Sequence, residues 1–541
     1  MAGRRSRRRS AGEGEISLKF AIAALAVAVC AAGIHWGTFA AGGSDSYCYV
    51  HQAEAWASGH LQVVEPLALE APWPEPPLTF APAGHVPSPT VPGAAVPICP
   101  AGLSIAMAPL VWAAGAGGAP DAVFLVVPLF GALLVWSVYL LGSRFSPRVG
   151  LASALLVACS PAFLFQLMQP MSDVPAAALW VLAAVFATSN RPRASLLAGL
   201  ATSAAILMRP NLLPMGVVLG AYFLVGSDPG DGATQEVASR RHRGLTPAAI
   251  FAAAAAPGCI AVALIQQMFY GSPVRSGYGA LAGLFALDHV APNAARYFSW
   301  MSATHTPFWL LALAAPFVLR PRRPATLLLS LALVNVLCYL PYAVFNDWWY
   351  LRFLLPGIAM VMVVMIATFE DLVVRLAHVA PRKGAPYTAV LCTAVFTIAL
   401  ALLFIREARA RNVFDLQRLE SRYVRAGVYV ADRLPPNALI ITSWESGSVR
   451  FYGHRNTLVW DVLDPAWLDR AVAYTRTRGL EPYLLFETWE EPIFRQRFAG
   501  SDIAKLDWPP AAEIAGQVRM YRPGDRERYL RGEAGPTDYA R

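Results

Sequence analysis

GGSDSYCYVHQAEAWASGHL, residues 42–61, opens a polar, proline-rich segment that closes with PICPAG, residues 97–102. Long hydrophobic stretches flank this segment, near 18–39 before it and from 121 onward after it. A long loop held between membrane helices indicates a functional element, because loops carry function when a rigid scaffold positions them. We therefore interpret the segment as the roof of an active site, with Asp45 as the residue on which that site is built.

The composition indicates an integral membrane protein. Of 541 residues, 56% are hydrophobic, and they recur in long runs,. In a soluble protein the net charge of +9 would suggest nucleic acid. Here the basic residues lie mostly at the ends of apolar segments, where they set orientation. The arginine cluster within residues 4–9 directly precedes a hydrophobic helix, so it indicates a cytoplasmic anchor and no nucleic-acid partner.

The hydrophobic stretches predict about eleven transmembrane helices. The first could instead be a cleaved signal peptide, but its apolar run is long for one, and we favour an uncleaved anchor. The predicted spans lie near 18–39, 121–142, 148–168, 173–188, 194–209, 211–226, 247–267, 307–319, 324–345, 351–369 and 388–405.

Charge decides the role of the apolar stretch Leu103–Ala114, which is short for a span,. If this stretch does not cross, the basic turns RPRRP, residues 320–324, and SRRHRG, residues 239–244, face the cytoplasm,. If it crosses, both turns move outside. We therefore predict a helix lying at the outer interface. The loop 42–102 and the tail from Arg406 are then external.

Three regions follow from this topology. Residues 1–17 form a cytoplasmic basic N-terminus, and residues 18–405 form the transmembrane domain. Residues 406–541 form an external α/β domain, because short β-type runs alternate there with helical patterns. Its predicted strands are ALIIT, NTLVW, YLLFE and VRMYR. The Gly/Asp/Ser-rich turn at 226–244 is predicted to be a flexible cytoplasmic linker.

Two external carboxylates are candidate catalytic groups. Asp45 follows the first span closely, and a carboxylate partly desolvated at the interface gains strength as a base. The plainer alternative is a helix N-cap formed by Ser44 or Asp45. Asp173 precedes Pro175, a pattern that equally suits the start of a helix.

Three arginines on the predicted external side run against the inside bias of positive charge. Guanidinium groups bind phosphate bidentately, so Arg209, Arg275 and Arg352 are candidate ligands of an anionic head group. Each could instead snorkel or form a structural ion pair. Tyr278 and Trp348 could stack on a sugar, although an interfacial aromatic belt is the commoner reason for such residues.

Of the seven cysteines, Cys48 and Cys99 alone lie outside the predicted spans. If the topology is right they face an oxidising compartment, and we predict that they form a disulfide. The histidines and glutamates scattered through the loop lack ligand spacing, so we assign no metal ligands. The sequence contains no P-loop, GxGxxG motif or internal repeat,.

At these residues the chain resembles the GT-C superfamily of polytopic glycosyltransferases, which includes the protein O-mannosyltransferases and the lipid A aminoarabinose transferase. The family pattern has an acidic motif after the first helix and a proline-glycine motif before an interfacial helix. The matching segments are DSYCY at 45–49, CPAG at 99–102, MSDVPAAAL at 171–179, LMRPN at 207–211, YGSPVRSGYG at 270–279 and WWYLRFLLPG at 348–357. Ser46 replaces the second acidic residue of many members.

The resemblance implies a donor sugar on a polyprenyl phosphate and an inverting direct displacement. Asp45 would be the general base for an acceptor hydroxyl on a glycan, lipid or protein. Arg275 and Arg352 would stabilise the leaving phosphate. The resemblance leaves a divalent metal as an option and implies a bacterial-type inner membrane, with the site on the periplasmic face.

Two other functional classes compete with a transferase. A transporter or flippase of a lipid-linked or anionic solute would place ionisable residues near mid-membrane, often in repeated halves. The predicted spans carry almost no charge at their centres. A non-catalytic assembly factor is the third class.

Overall fold

The computed structural model describes residues 2–114, 120–189, 191–225, 237–279, 281–320, 322–379, 385–533 and 535–540. Residues 226–236 of the predicted linker lie outside the described residues. The α-helices are α1 Ala2–His35, α2 Asp45–Ser58, α3 Leu67–Glu70, α4 Pro76–Thr79, α5 Ala101–Ala114, α6 Val126–Gly142, α7 Pro147–Cys159, α8 Pro161–Leu167, α9 Asp173–Ala187, α10 Ala194–Met208, α11 Leu213–Leu224, α12 Val237–Tyr270, α13 Leu281–Leu284, α14 Val290–His305, α15 Ala315–Val318, α16 Arg322–Tyr339, α17 Leu355–Val379, α18 Ala385–Ala410, α19 Leu416–Arg433, α20 Ser446–Gly453, α21 Leu468–Thr477, α22 Glu490–Arg497 and α23 Asp525–Leu530.

The strands are short and belong to two sheets. They are β1 Val63–Val64, β2 His85–Pro87, β3 Ala94–Pro97, β4 Ala438–Thr442, β5 Asn456–Val459, β6 Glu481–Glu487, β7 Ala512–Ile514, β8 Val518–Tyr521 and β9 Asp538–Ala540. Two of the 3₁₀ segments, Pro307–Ala314 and Trp348–Leu354, lead into α15 and α17.

The chain divides into two compact units. The first unit contains Met1–Gly37, Phe124–Val262 and Ala280–Phe414. The second contains Thr38–Val123, Ala263–Gly279 and Asp415–Arg541.

The first unit is helical. Each of the eleven predicted hydrophobic stretches falls on a helix or on consecutive helices. Within the described residues, five helices are long and apolar enough to cross a membrane, or six if the bent pair α7–α8 is one span. Helices α9, α10 and α11 are apolar but have only 15, 15 and 12 residues, fewer than the ~20 of a typical span. The count of eleven spans therefore stays a prediction.

The break between α7 and α8 lies at Ser160 and Pro161. Pro161 cannot donate the backbone hydrogen bond that would continue the helix. Ser160 has extended backbone angles, and its side-chain oxygen accepts a hydrogen bond from the backbone N–H of Phe163. Ser160 thus forms the N-cap of α8. The two helices meet at 62°, whereas the sequence predicted one stretch through 148–168.

Small residues bring neighbouring helices of the first unit together. A Cβ added to Gly142 of α6 would lie 2.7 Å from the Cα of Gly150 of α7. A Cβ added to Gly258 of α12 would lie 2.2 Å from the carbonyl oxygen of Ser203 of α10. Such close backbone approach is how membrane helices gain van der Waals contact where lipid supplies no hydrophobic driving force.

The second unit is built on a mixed six-stranded sheet of order β5-β4-β6-β8-β7-β9. β5, β4 and β6 are parallel, with Ile440 opposite both Thr457 and Tyr483. β8 joins β6 in antiparallel orientation. The four strands predicted from sequence coincide with β4, β5, β6 and β8. β7 and β9 were not predicted.

Both faces of this sheet are covered. One face packs mainly on α19 and α20, through Val430 and Val449. The other packs on α21 and α22 and, in addition, on Trp73 and Phe80. These two aromatics belong to the polar loop, and both are almost fully buried. The loop is therefore part of the hydrophobic core of the C-terminal sheet.

A small antiparallel sheet of order β1-β3-β2 stiffens the rest of the loop. The end of α12 packs against it, because Val96 of β3 shares a buried cluster with Phe269 and Tyr270. The hydroxyl of Tyr270 donates to the carbonyl of Pro97 at 2.6 Å.

Candidate active site

Asp45 is the first residue of α2 and is half-buried. Ser44 takes the N-cap position but makes no capping hydrogen bond through its side chain. A carboxylate in the first turn is favoured by the positive end of the helix dipole. The position is compatible with both a helix-start role and a catalytic role for Asp45.

The C-terminal domain fixes the start of α2 through close contacts. A Cβ added to Gly447 of α20 would lie 2.4 Å from Cδ1 of Tyr47. A Cβ added to Gly42 would lie 2.1 Å from Cδ2 of Tyr423 in α19. These contacts leave no room for side chains, so the residues on both sides of Asp45 are held by the tail.

Backbone hydrogen bonds add to this attachment. The hydroxyl of Tyr452 accepts from the N–H of Ala41 at 2.8 Å. The hydroxyl of Ser446 accepts from the N–H of Ala83 at 2.9 Å. Both donors are loop residues and both acceptors lie on α20. The loop thus uses the same helix as its anchor at two separate points.

Cys48 of α2 and Cys99 are joined by a disulfide, as proposed from the sequence, with their Cα atoms 6.3 Å apart. The hydroxyl of Ser104 in α5 donates to the carbonyl of Tyr49 at 2.8 Å. The disulfide and this bond connect the Asp45 helix to the CPAG turn and to α5.

A buried histidine pair supports the same helix. Nδ1 of His51 lies 3.1 Å from Nε2 of His85, and the ring of Tyr47 stacks on His51 at 5.1 Å. Burial, together with the nearby Arg450, lowers the pKa of His51 to about 4. Burial is the main cause that holds the pKa of His85 well below its ordinary value, and the neighbouring His51 lowers this pKa as well. Both rings are therefore neutral at physiological pH.

Glu54 also lies on α2, and sequence reasoning did not consider it. Burial raises the pKa of its carboxyl to about 7, a value suited to proton transfer near neutral pH. Nine residues separate it from Asp45, which is about 13 Å along a helix axis. The two carboxyls therefore cannot act on one proton.

Arg275 and Tyr278 lie in the turn after α12, in the same unit as Asp45. Both are exposed. A Cβ added to Gly277 would lie 2.5 Å from the Cα of Ile98. This turn therefore packs directly beside Cys99 and its disulfide.

Asp173 and Arg209 form a buried ion pair in the first unit. The Nη2 atom of Arg209 lies 2.6 Å from Oδ1 of Asp173, and the two side chains are 13% and 0% exposed. Arg209 also donates to the hydroxyls of Ser172 and Tyr339. The structural ion pair considered from the sequence is therefore present, and Asp173 holds the Arg209 guanidinium in place.

Two cations share one aromatic ring in this unit. The guanidinium carbons of Arg209 and Arg352 lie 5.4 and 5.2 Å from the centroid of the Phe353 ring. Arg352 also lies 5.2 Å from the ring of Tyr350. Cation–π contact of this kind stabilises a partly desolvated guanidinium. The pair makes this region a candidate site for an anion.

Trp348 packs against an aromatic ring and a guanidinium group of the first unit. Its ring meets Phe165 edge to face at 5.3 Å, and the guanidinium of Arg411 lies 5.4 Å from it. These contacts are with protein side chains, and a sugar-stacking role for Trp348 stays a prediction.

Sequence reasoning missed a group of buried carboxyls in the C-terminal domain. Glu445 and Glu490 are fully buried and Glu487 is nearly so. Burial raises the pKa of Glu445 and of Glu490 to about 8. The local sequences SWE, residues 443–445, and TWE, residues 488–490, each follow a strand. That repetition is the signal from which the group could have been found.

Within the described part of the chain, no group of three or more His, Cys, Asp or Glu side chains is placed to hold a metal ion.

Residues 113–241 match the family model described as dolichyl-phosphate-mannose-protein mannosyltransferase. No curated protein matches the chain by sequence.

Solved structures match over nearly the whole chain. The crystal structure of ArnT from Cupriavidus metallidurans bound to undecaprenyl phosphate has a TM-score of 0.55 and 14% identity, covering 97% of this chain and 99% of that chain. The apo structure of the same protein has a TM-score of 0.55 and 14% identity, covering 97% of this chain and 100% of that chain. A third match is the archaeal oligosaccharyltransferase AglB from Archaeoglobus fulgidus in complex with an inhibitory peptide and a dolichol-phosphate. It has a TM-score of 0.49 and 13% identity, covering 89% of this chain and 71% of that chain.

These findings define an integral membrane protein, mostly helical, with a small C-terminal sheet domain. The chain has the fold of ArnT, the GT-C fold, and residues 113–241 carry the mannosyltransferase family match. The predicted resemblance and fold class are confirmed.

Proposed function

We propose that this protein is a membrane glycosyltransferase that moves a sugar from a polyprenyl-phosphate donor to an acceptor hydroxyl. The observation that carries the proposal is the GT-C fold, with Asp45 opening α2 and held there from three sides. ArnT, which shares this fold, has been captured with undecaprenyl phosphate. That complex supports a lipid phosphate as the donor carrier here.

Asp45 is the general base in this mechanism. It takes the proton of the acceptor hydroxyl while that oxygen attacks the anomeric carbon. The bond from this carbon to the phosphate oxygen breaks, and the polyprenyl phosphate leaves with the bonding electrons. One displacement inverts the anomeric centre, so no enzyme nucleophile is required. A base fixed by packing and a disulfide suits this role, because misplacement by about 1 Å is costly to rate.

Arg209 and Arg352 are proposed to bind the donor phosphate. Their guanidinium groups flank Phe353 and offer planar donors that match phosphate geometry. Asp173 is retained as a member of the site, with the role of orienting Arg209. Guanidinium groups placed beside the phosphate would stabilise the negative charge that grows on it as the bond breaks.

Arg275 and Tyr278 are proposed as further substrate contacts, because both are exposed on a turn anchored beside the disulfide. The proposed location is a bacterial-type inner membrane with the N-terminus in the cytoplasm and the site and C-terminal domain in the periplasm. The charge distribution of the basic turns supports this orientation.

A reconstituted transfer assay tests the function. Purified protein in lipid nanodiscs is incubated with a panel of radiolabelled polyprenyl-phosphate sugars and with a cell-envelope extract that supplies the acceptor hydroxyl, and the release of polyprenyl phosphate is measured. We expect one donor to be consumed, and the lipid that copurifies to be its polyprenyl phosphate by mass spectrometry. Consumption that continues unchanged in an Arg352→Gln, Arg209→Gln double variant would refute the proposed phosphate site. Movement of intact donor across vesicles without cleavage would favour a flippase.

A further inference from the structure

Two matching turns stand at the same edge of the C-terminal sheet. β4 and β6 are neighbouring parallel strands, and their carboxyl ends lead into Ser443-Trp444-Glu445 and Thr488-Trp489-Glu490. In open α/β sheets, the carboxyl ends of parallel strands are where ligands bind. A hydroxyl residue, a tryptophan and a glutamate therefore occur twice in the same order, at a position suited to recognition.

The two tryptophans form an exposed pair. Their rings meet edge to face, with centroids 5.7 Å apart and planes at 70°. Trp444 is 43% exposed and Trp489 is 47% exposed. Exposed tryptophans in contact are uncommon on a soluble surface, because each leaves a large apolar face in water. The pair presents two aromatic faces at an angle.

Buried glutamates hold this pair rigidly. Glu490 accepts from the backbone N–H of Trp444 at 3.3 Å and of Glu487 at 2.8 Å, so it ties the two turns together. The indole N–H of Trp489 donates to Oε2 of Glu487 at 2.9 Å. Arg422 lies 3.1 Å from the same oxygen and also pairs with Glu420 at 3.2 Å. The platform is therefore preorganised, which lowers the entropic cost of binding.

Two carboxyl oxygens beside the platform have no partner. Oε1 of Glu487 and Oε1 of Glu445 are buried and make no hydrogen bond to any described residue. An unmet buried acceptor costs free energy, so each such group calls for an explanation. A ligand that carries hydroxyl donors would supply the missing bonds.

The platform adjoins the segment that leads into Asp45. A Cβ added to Gly43 would lie 3.3 Å from the hydroxyl of Tyr423 and 3.9 Å from Cε3 of Trp444. Gly43 precedes Asp45 by two residues. A molecule bound on the tryptophans would therefore lie beside the proposed base, within the same unit.

We propose that Trp444 and Trp489 form a subsite for a neutral saccharide, the glycan part of the acceptor, and that the unmet carboxyl oxygens of Glu445 and Glu487 form hydrogen bonds with its hydroxyl groups. A sugar ring has one apolar C–H face, which suits an indole, and hydroxyl donors at its edge. This inference rests on the proposed transferase function and specifies its acceptor as a glycan.

Charge favours a neutral sugar over a cationic one. Burial raises the pKa of Glu445 and Glu490 to about 8, so both carboxyls are mainly protonated at neutral pH,. Arg422 pairs with both Glu487 and Glu420, and burial raises the pKa of Glu420. The competing occupant is the lipid headgroup region, where tryptophans often lie. The carboxylate that fixes the Trp489 indole N–H makes a polar ligand the better match.

Saccharide binding without turnover tests this subsite. The full chain carrying Asp45→Asn is placed in nanodiscs, and neutral oligosaccharides from mannan, galactan and arabinan are titrated by ligand-observed NMR, with an anionic galacturonan as comparison. We expect a neutral oligosaccharide to bind. Trp489→Ala and Trp444→Ala should each weaken it about tenfold, which is ~1.4 kcal/mol, while Trp489→Phe retains most of the affinity.

Tyr539→Ala, which removes another exposed aromatic of the same domain, is the matched control and should bind normally. Binding by none of the neutral probes, or equal binding by the alanine variants, would overturn the subsite. A second measurement covers the lipid alternative. The fluorescence of Trp444 and Trp489 is obtained as the difference between wild type and a Trp444→Phe, Trp489→Phe variant. If brominated phosphatidylcholine quenches this fluorescence, the pair lies in the bilayer and the proposal fails. Because no transfer is measured, failure of the catalytic proposal would leave these results interpretable.

Discussion

Replacing Gly447 with alanine should destabilise the protein and slow the transfer reaction. Gly447 lies in α20, where alanine would ordinarily stabilise a helix by up to ~1 kcal/mol. Here the new Cβ would lie 2.4 Å from Cδ1 and 2.5 Å from Cγ of Tyr47. Ordinary contact begins near 3.4 Å, so the ring has to move by about 1 Å.

Tyr47 has little freedom to make that movement. It is 1% exposed, and its ring meets His51 and His85 at 5.1 and 5.2 Å. Overpacking of this kind costs ~1–3 kcal/mol, which exceeds the gain in helix propensity. Since Tyr47 follows Asp45 by two residues on α2, the base should shift with it. A shift of about 1 Å can lower a rate up to ~100-fold.

Thermal unfolding and sugar transfer by the purified variant measure both effects. Gly500→Ala is the matched control, because a Cβ there would meet nothing within 4 Å, and it should change stability by less than ~0.5 kcal/mol. Adding Tyr47→Leu to Gly447→Ala should cost less than the sum of the single changes. A Gly447→Ala protein as stable and as active as wild type would refute the account of how α2 is held.

Three further predictions concern the groups that stabilise the two units. Asp173→Asn removes the carboxylate that pairs with Arg209 and should lower the free energy of unfolding in detergent by ~3 kcal/mol. Adding Arg209→Gln to this variant should lower it little further. Losses of stability that add in the double variant would contradict the pairing. Replacing Cys48 and Cys99 by serine opens a link of sequence separation 51 and should cost up to ~4 kcal/mol, and free thiols at both positions in unreduced protein would show that the link is absent. The pKa of His51 is about 4 in the folded protein, below its value in the unfolded chain. The contribution of His51 to the free energy of unfolding is therefore complete above pH ~6.5 and is lost as the pH falls through ~4. Wild type should lose up to ~3 kcal/mol more than His51→Gln over that range, and parallel pH curves would contradict this.

Much of the helical architecture could be predicted because hydrophobicity and charge act locally. Each predicted stretch carried its own apolar run, and the tail strands carried β-branched residues such as those of ALIIT. β7 and β9 have three residues each, too few for a periodic pattern. Their pairing depends on β8 and on each other, across a long stretch of sequence.

The candidate site could be predicted in part only. Asp45 could be singled out because it follows the first apolar run closely. The cysteine pair could be singled out because every other cysteine lies in a predicted span. The pairing of Asp173 with Arg209 depends on how two helices pack, which residue type alone does not specify. Trp73 belongs to the polar loop, yet it lies in the core of the C-terminal sheet, because that core includes loop residues far away in sequence.

The most direct test of the central claim is the transfer rate of Asp45→Asn protein in nanodiscs, measured with the donor identified by copurification. Asparagine keeps the size of the side chain but cannot accept the acceptor proton at neutral pH. We expect transfer to fall by at least ~100-fold, with thermal stability and donor binding unchanged and with Asp45→Glu partly active. Transfer at the wild-type rate by the Asp45→Asn protein would contradict the assignment of Asp45 as the base.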